Sequence, residues 1–275
     1  MRVKFRWEAD LVALTKDNIG LFLPPIEPHE EVVCYPELQV RSGIADLVAG
    51  VINTNLLYDL PSQDNGVILE RGIWWEFFAS ILNHTHIDCD ELINAGVSHW
   101  RKYYDDMSIM QKKYHDKKQY SSNVITKQYR QGLYKMVQAG YLRVNDNRPF
   151  DKASTFEGMT LTVTNLSKIV RHVTAIEAKL SNWKKVLYQA HINTLFSNYS
   201  YVVMDKYHVK PIERNLDKFS SKGIGVAIGC ASTNIVEIIS PAKQANHSEV
   251  SLIRGWQHIL SKLIEERSSG INGNG

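Results

Sequence analysis

Residues 173–180, VTAIEAKL, contain two charged side chains within an apolar and β-branched run. Such a run is typical of a buried β-strand, and residues two apart lie on the same face of a strand. Glu177 and Lys179 are therefore expected to point side by side from one end of that strand. Because charges are costly to bury without a partner or a metal, the pair indicates a site for chemistry or a structural salt bridge.

The segments on either side add to this picture. Residues 42–52, SGIADLVAGVI, form a second strand-like run, and Asp46 is its one internal charge. Residues 181–190 follow Lys179 directly and are predicted to form a helix, with Ser181 as a plausible N-cap. The apolar face of that helix comprises Trp183, Val186, Leu187, Ala190 and an outlying Leu195. Residues 199–204, YSYVVM, predict another strand.

This order of an aspartate on one strand, Glu-x-Lys on the next, a basic helix and a further strand resembles the PD-(D/E)xK nuclease superfamily. The resemblance implies an α/β (α+β) protein whose central mixed sheet is flanked by helices, as in the restriction-endonuclease-like fold. It also implies that Asp46 and Glu177 bind the metal and that Lys179 is the lysine of the motif. Gln189 resembles a glutamine that several branches carry on the following helix. Glu8, in a helix predicted over 6–16, resembles an acidic residue that some members carry there.

The chemistry of phosphodiester hydrolysis suits these residue types. Mg2+, for which Mn2+ often substitutes, prefers oxygen ligands and keeps several waters, so two carboxylates can hold it. Lys179 would orient the attacking water, help to deprotonate it, or stabilise the developing negative charge. Lys184 and Lys185 would contact flanking phosphates, or would only solvate a helix face. The competing interpretation is a structural Glu177–Lys179 ion pair with Asp46 in a turn.

The spacing of the motif predicts an inserted domain. Asp46 and Glu177 are separated by 130 residues, where the superfamily usually has a short hairpin. Either a domain is inserted there or another aspartate completes the motif. The insertion reading divides the chain into a discontinuous nuclease-like domain, residues 1–66 and 165–267, and an inserted domain, residues 67–164. A disordered tail is predicted over 268–275.

The insert contains a pattern similar to a winged helix-turn-helix domain. Tyr129, Leu133, Met136 and Val137 form an apolar stripe at helical spacing, and Gly140 is a helix-ending glycine. A strand over 141–144 follows, with a return strand near 159–163 and upstream helices near 72–82, 88–95 and 100–114. As a recognition helix and wing, this part would bind DNA. The residues predicted to contact DNA are Lys127, Arg130, Gln131, Lys135 and Arg143, together with Lys184 and Lys185 of the nuclease-like domain.

The charge distribution favours the same reading. Residues 101–152 carry 12 Lys and Arg against 5 Asp and Glu, a net charge of +7. The whole chain is +3, so the remainder carries 20 against 24 and is −4. A basic module on a mildly acidic body is typical of nucleic-acid binding. The lysines near 112–118 could equally solvate a long helix.

Composition predicts a cytoplasmic protein with a sizeable core. The chain has 275 residues, 44 % hydrophobic residues and six tryptophans, and no apolar run long enough to cross a membrane. The N-terminus lacks the apolar segment of a signal peptide, and three distant cysteines do not suggest a disulfide framework. A zinc site at His84, His86 and Cys89 is disfavoured because a fourth ligand has no recognisable spacing. Residues 248–266 predict an amphipathic helix that packs in the core or joins two copies in a homodimer.

The sequence therefore predicts a metal-dependent DNA endonuclease whose inserted winged helix positions the substrate. The alternative is a catalytically inactive, DNA-binding regulatory protein that keeps the fold.

Overall fold

The computed structural model describes residues 4–40, 43–62, 81–145, 156–246 and 249–271. The strands in this part of the chain are β1 (Glu30–Val40), β2 (Gly43–Asn53), β3 (His86–Asp88), β4 (Leu142–Val144), β5 (Thr160–Val163), β6 (Val170–Lys179), β7 (Tyr199–Asp205), β8 (Gly225–Cys230) and β9 (Ile235–Ser240). The α-helices are α1 (Glu8–Asp17), α2 (Cys89–Asp105), α3 (Ile109–Lys112), α4 (Ser122–Gln138), α5 (Trp183–Asn193), α6 (Lys210–Glu213), α7 (Leu216–Ser220) and α8 (Glu249–Ile271).

The chain forms two compact units. The first comprises residues 1–57 and 168–262, and the second comprises residues 58–167 and 263–275. None of the described helices is long and apolar enough to cross a membrane.

The first unit is built on a six-stranded mixed sheet in the order β1-β2-β6-β7-β8-β9. The strands β1, β2 and β6 are antiparallel neighbours, β6, β7 and β8 are parallel, and β9 returns antiparallel to β8. Parallel neighbours require a crossover, and α5 provides the one between β6 and β7. The predicted mixed α/β class is confirmed.

Both faces of this sheet are covered by apolar side chains. On one face, Leu11 and Leu14 of α1 pack with Ile176 and Val203. On the other face, Val186 and Ala190 of α5 pack with Val202 and Met204. Since alternate residues of a strand point to opposite faces, the run YSYVVMD of β7 has to be apolar on both sides. The same alternation directs Glu177, which lies between Ile176 and Ala178, toward the α5 side.

Strand β1 was not predicted. It contains three glutamates and Pro36, which reduce its resemblance to a strand. The structure explains the composition, because β1 lies at the edge of the sheet and, within the described ranges, pairs with a neighbour on one side only. Proline is tolerated at such an edge, where its missing N–H can face away from the ladder.

The second unit pairs two long helices with a three-stranded antiparallel sheet, β3-β5-β4. The predicted return strand is present as β5, which pairs with β4 from Leu142 opposite Val163 to Val144 opposite Leu161. Helices α2 and α4 meet where Trp100 Nε1 donates a hydrogen bond to the Tyr129 hydroxyl, 3.0 Å away. A Cβ at Gly96 would lie 2.1 Å from the Tyr129 ring, so only glycine permits this approach.

Several predicted boundaries are wrong. The helices expected over 88–95 and 100–114 are one continuous helix, α2, followed by the short α3. Residues 210–220 form two short helices, α6 and α7, with a break at residues 214–215. Helix α8 extends to Ile271, so residues 268–271 of the predicted disordered tail are helical. Ser268 Oγ and Ser269 Oγ donate to the carbonyls of Ile264 and Glu265 there. The helix expected over 72–82 lies mostly outside the described residues.

Candidate active site in the first unit

Asp46 lies where the β2–β6 ladder ends. The last paired residues on this side are Leu47 and Ile176, and Asp46 comes next along β2. Its Oδ2 accepts a hydrogen bond from the Ala178 amide at 2.9 Å, so a side-chain carboxylate replaces the missing backbone acceptor. The aspartate therefore lies directly beside the Glu-x-Lys motif on β6, as the sequence predicted for a common site.

Lys179 is held between two carboxylates. Its Nζ is 2.6 Å from Asp46 Oδ2 and 3.2 Å from Glu8 Oε2, and its side chain is 14 % exposed. Burial disfavours the ammonium charge, but the hydrogen bond to Asp46 and the charges of Asp46 and Glu8 outweigh it and raise the pKa of Lys179. Lys179 is thus a cation at neutral pH. Helix α1 supplies Glu8 from its first turn.

Glu177 is the most unusual group of the site. It is 1 % exposed, and its Oε1 accepts a hydrogen bond from Asn193 Nδ2 at 2.8 Å. The other oxygen, Oε2, is buried and has no hydrogen-bond partner among the described residues. Burial, and next the negative charge of Asp46, raise the pKa of Glu177 to about 7, against the lowering effects of Asn193 and Lys179. A larger fraction of this carboxyl is therefore protonated at neutral pH than of an ordinary glutamate.

Helix α5 packs on the face of the sheet toward which Glu177 points. Its N-cap is Asn182 rather than Ser181, because Asn182 adopts the left-handed conformation at φ 64° and its side chain accepts from the Lys185 amide. With Ser181 as N-cap the helix would begin at residue 182, but it begins one residue later, at Trp183. Asparagine suits the cap position because it tolerates the left-handed conformation better than most residues. Lys184 and Lys185 are exposed in its first turn, and Lys184 Nζ lies 5.9 Å from the centre of the Trp183 ring.

Two amides on α5 lie one turn apart on one side of the helix. Asn193 contacts Glu177, and Gln189 precedes it by four residues. The Oε1 atom of Gln189 is buried and, like Glu177 Oε2, has no hydrogen-bond partner in the described part of the chain. Sequence reasoning missed Asn193. The spacing of four from Gln189 could have identified it, because i and i+4 share a helix face.

A groove of about 430 Å³ opens beside the site. Residues from α1, β1 and β2 line it, and they are Glu8, Ala9, Val12, Ala13, Lys16, Pro36, Glu37 and Asp46. Glu37 adopts a left-handed backbone conformation at φ 51° and interrupts the β1–β2 ladder between Pro36 and Leu38. Asp46 and Glu8 are therefore accessible from solvent, whereas Glu177 lies behind them in the sheet.

The carboxylate oxygens of Asp46 and Glu177 meet some of the requirements for binding a divalent cation. Among the described residues, no three His, Cys, Asp or Glu side chains are grouped closely enough to hold a metal ion. Asp46 and Glu177 nevertheless interact closely enough for the charge of one to raise the pKa of the other, and an oxygen of Glu177 is unsatisfied. Two carboxylates at one point are sufficient for Mg2+, which retains water in its remaining positions.

The residues predicted to bind DNA in the second unit do not all share one face. Lys127, Gln131 and Lys135 of α4 are exposed at spacings of four, and we call these three residues the α4 face. Arg130 was predicted to lie with them, but its Nε is buried and without a hydrogen-bond partner in the described ranges. Position 130 adjoins the buried Tyr129 side of the helix. Arg143 on β4 is 71 % exposed and lies 3.8 Å from Asp59.

The residues of the disfavoured zinc site serve other roles. Asp88 caps α2 by accepting from the amides of Asp90 and Glu91 at 2.9 Å. His86 Nδ1 lies 3.2 Å from Thr162 Oγ1, and Cys89 is fully buried.

Comparisons of the chain with models of known protein families, with curated proteins and with solved structures found no match.

Proposed function

We propose that the protein is a metal-dependent DNA endonuclease of the PD-(D/E)xK type, with a restriction-endonuclease-like first unit and a winged-helix second unit. The observation that carries the proposal is the buried, unsatisfied Oε2 of Glu177 next to Asp46 at the end of a sheet. An unpaired carboxylate in such a place is costly, and a cation ligated by both residues would offset the cost. Perturbed acids of this kind concentrate at functional sites.

The order of elements supports the fold assignment. Helix α1 precedes two antiparallel strands, β6 extends this meander, and α5 crosses over to the parallel strand β7. Asp46, Glu177 and Lys179 all meet at one end of β2 and β6. In the second unit, β3, the three helices α2, α3 and α4, and the antiparallel pair β4–β5 follow one another as in a winged helix.

Each residue has a distinct role in this mechanism. Asp46 and Glu177 would hold Mg2+, which when bound supplies Lewis-acid stabilisation and acidifies coordinated water. Because the pKa of Glu177 is raised to about 7, Glu177 would release any bound proton on ligating the ion at neutral pH. Asn193 fixes the orientation of Glu177 through its bond to Oε1.

Lys179 acts as a cation and not as a base. Its raised pKa keeps it protonated, so it stabilises negative charge on the phosphate instead of accepting a proton. In the metal-free state Glu8 and Asp46 share its charge. Lys184 and Lys185 would contact the flanking phosphates from the first turn of α5.

One observation favours the inactive alternative. The carboxylate of Asp46 already accepts from Lys179 and from the Ala178 amide, which is the arrangement of a structural ion pair. A DNA-binding protein without cleavage would need nothing more from this cluster.

Cleavage and metal binding, measured together, separate the two functions. We expect wild type to cut supercoiled plasmid or single-stranded DNA with Mg2+ or Mn2+ and to gain thermal stability on adding either ion. Glu177→Gln should lose both properties, whereas Glu237→Gln, an exposed change on β9, should retain them. Folded wild type that binds DNA but neither cuts it nor responds to either ion would overturn the nuclease in favour of the regulatory protein.

A further inference from the structure

The second unit carries a concentration of exposed apolar side chains away from the α4 face. Ile109 is 81 % exposed, Met110 is 72 % exposed and Tyr114 is 87 % exposed, all within six residues. Single exposed apolar residues are ordinary on protein surfaces, but a group of them marks an interaction site. We call residues 109–118 the tyrosine–lysine segment.

The exposure does not result from poor anchoring. Tyr120, just past the segment, is 8 % exposed and its ring centroid lies 4.9 Å from that of Tyr104 on α2. The Tyr120 hydroxyl is 2.9 Å from His115 Nδ1. At the other end, Ser108 and Gln111 form a reciprocal capping box at the start of α3. The segment is therefore held at both ends by other residues, and its three exposed apolar side chains are not needed to fix its conformation.

The charges around the exposed ring favour an anionic partner. Lys113, Lys117 and Lys118 are exposed on either side of Tyr114. The acid between them, Asp116, is engaged locally, because its Oδ1 accepts from the Lys118 amide at 2.9 Å. Lys112 Nζ donates to the Asp105 carbonyl at 2.8 Å and is likewise committed. Three exposed lysines thus lie within four residues of a solvated aromatic ring along the chain.

The residue types of the segment favour an unpaired nucleic acid strand among the possible anions. Helix α3 ends at Lys112, and Lys113 and Tyr114 follow it in a turn in which the Tyr114 amide donates to the Gln111 carbonyl at 2.9 Å. An exposed aromatic ring among lysines is the combination with which proteins stack unpaired bases and neutralise the adjoining phosphates. Paired bases stack on one another inside a duplex and do not present a free face to such a ring.

We propose that the tyrosine–lysine segment binds single-stranded DNA by stacking a base on Tyr114. The proposal rests on the proposed function and narrows its substrate to DNA with an unpaired stretch. Three residues, 119–121, connect the segment to the start of α4 at Ser122. The second unit would then contact an unpaired strand with this segment and a duplex with the α4 face.

The test measures binding of the full-length protein to a labelled dT20 oligonucleotide and to a blunt hairpin duplex, by fluorescence anisotropy with EDTA present. Tyr114→Ala should weaken dT20 binding about tenfold, and Tyr114→Phe should stay within about twofold of wild type because the stacking ring remains. Hairpin affinity should be unchanged in both. Tyr58→Ala, which removes another tyrosine that is 71 % exposed, is the matched control.

Three results would overturn the proposal, and they are distinguishable. Equal dT20 affinity of wild type and Tyr114→Ala, with hairpin binding intact, removes the segment from the interface and leaves the proposed function standing. Loss of self-association in Tyr114→Ala during sedimentation, with dT20 affinity unchanged, identifies the segment as a contact between copies. Wild type that binds neither DNA overturns this inference and the proposed function together.

Discussion

Charge is placed in opposite ways in the two units. In the first, Glu177 is 1 % exposed, Lys179 is 14 % exposed in its side chain, and the charge of Lys179 acts to lower the pKa of Glu177. In the second, Lys127 and Lys135 project from α4 into solvent. A buried charge interacts strongly with its few neighbours, whereas an exposed charge is screened by water and salt. The first arrangement can perform chemistry on one bond, and the second can hold a long polyanion in place.

The largest expected effect comes from Lys179→Met, which removes the buried cation and keeps much of its side-chain volume. We expect plasmid cleavage to fall by about 100-fold or more, because a cation aimed at the reacting phosphate stabilises charge that develops in the transition state. DNA affinity should remain within about twofold. Single-turnover cleavage and anisotropy with the same DNA measure the two quantities.

The matched control is Lys222→Met, an exposed lysine of the same unit. It should cleave like wild type. If Lys179→Met also cleaves within threefold of wild type while Glu177→Gln does not, Lys179 is only a structural partner of Asp46 and Glu8.

How far the sequence predicted these two regions depends on where the relevant contacts come from. The strands β2 and β6 were predicted from their local apolar patterns, whereas the placement of Asp46 beside Glu177 was implied by the resemblance to the nuclease superfamily. The pairing of Lys179 with Glu8 depends on how α1 packs against the sheet, 171 residues away in sequence, and no local pattern encodes it. Asn193 was missed for a similar reason, since its role exists only once α5 covers β6.

In the second unit, too, a contact between segments distant in sequence overrides a local signal. The two helices predicted over 88–95 and 100–114 left a break that contains Gly96, and glycine has a low helix propensity. Tertiary packing overrides it, because the absence of a side chain at Gly96 lets the Tyr129 ring contact α2. Arg130 was expected on the exposed side of α4, but its Nε is buried. The apolar stripe predicted the centre of the buried face of α4 and not how far that face extends around the helix.

An intermediate effect is expected in the pH dependence of stability. The pKa of Glu177 rises from 4.5 to about 7 on folding. A raised carboxyl pKa contributes stability that is present in full below pH 4.5 and is lost as pH rises through 7. In Glu177→Gln the amide keeps the contact with Asn193 and does not ionise. The variant should therefore gain about 1–3 kcal/mol over wild type between pH 4.5 and 8 in EDTA.

Urea unfolding across this pH range measures the difference between the two proteins, so that other titrating groups cancel. Glu237→Gln, at an exposed position, should differ from wild type by a constant amount. A constant difference for Glu177→Gln as well would mean that Glu177 ionises normally in the folded protein. Saturating Mg2+ should restore wild-type stability at pH 8 if Asp46 and Glu177 bind it.

The smallest expected effects belong to the α4 face, where water and salt screen each charge. Lys127→Gln should weaken duplex binding by about three- to fivefold at 0.15 M salt and lower the slope of log affinity against log salt by about 1. Arg130→Gln offers the comparison, because its buried Nε places part of the side chain in the packed side of α4. We expect that variant to lower the melting temperature more than it lowers the salt slope. The opposite ranking, with Arg130 dominating the slope and Lys127 without effect, would place the DNA on another side of α4.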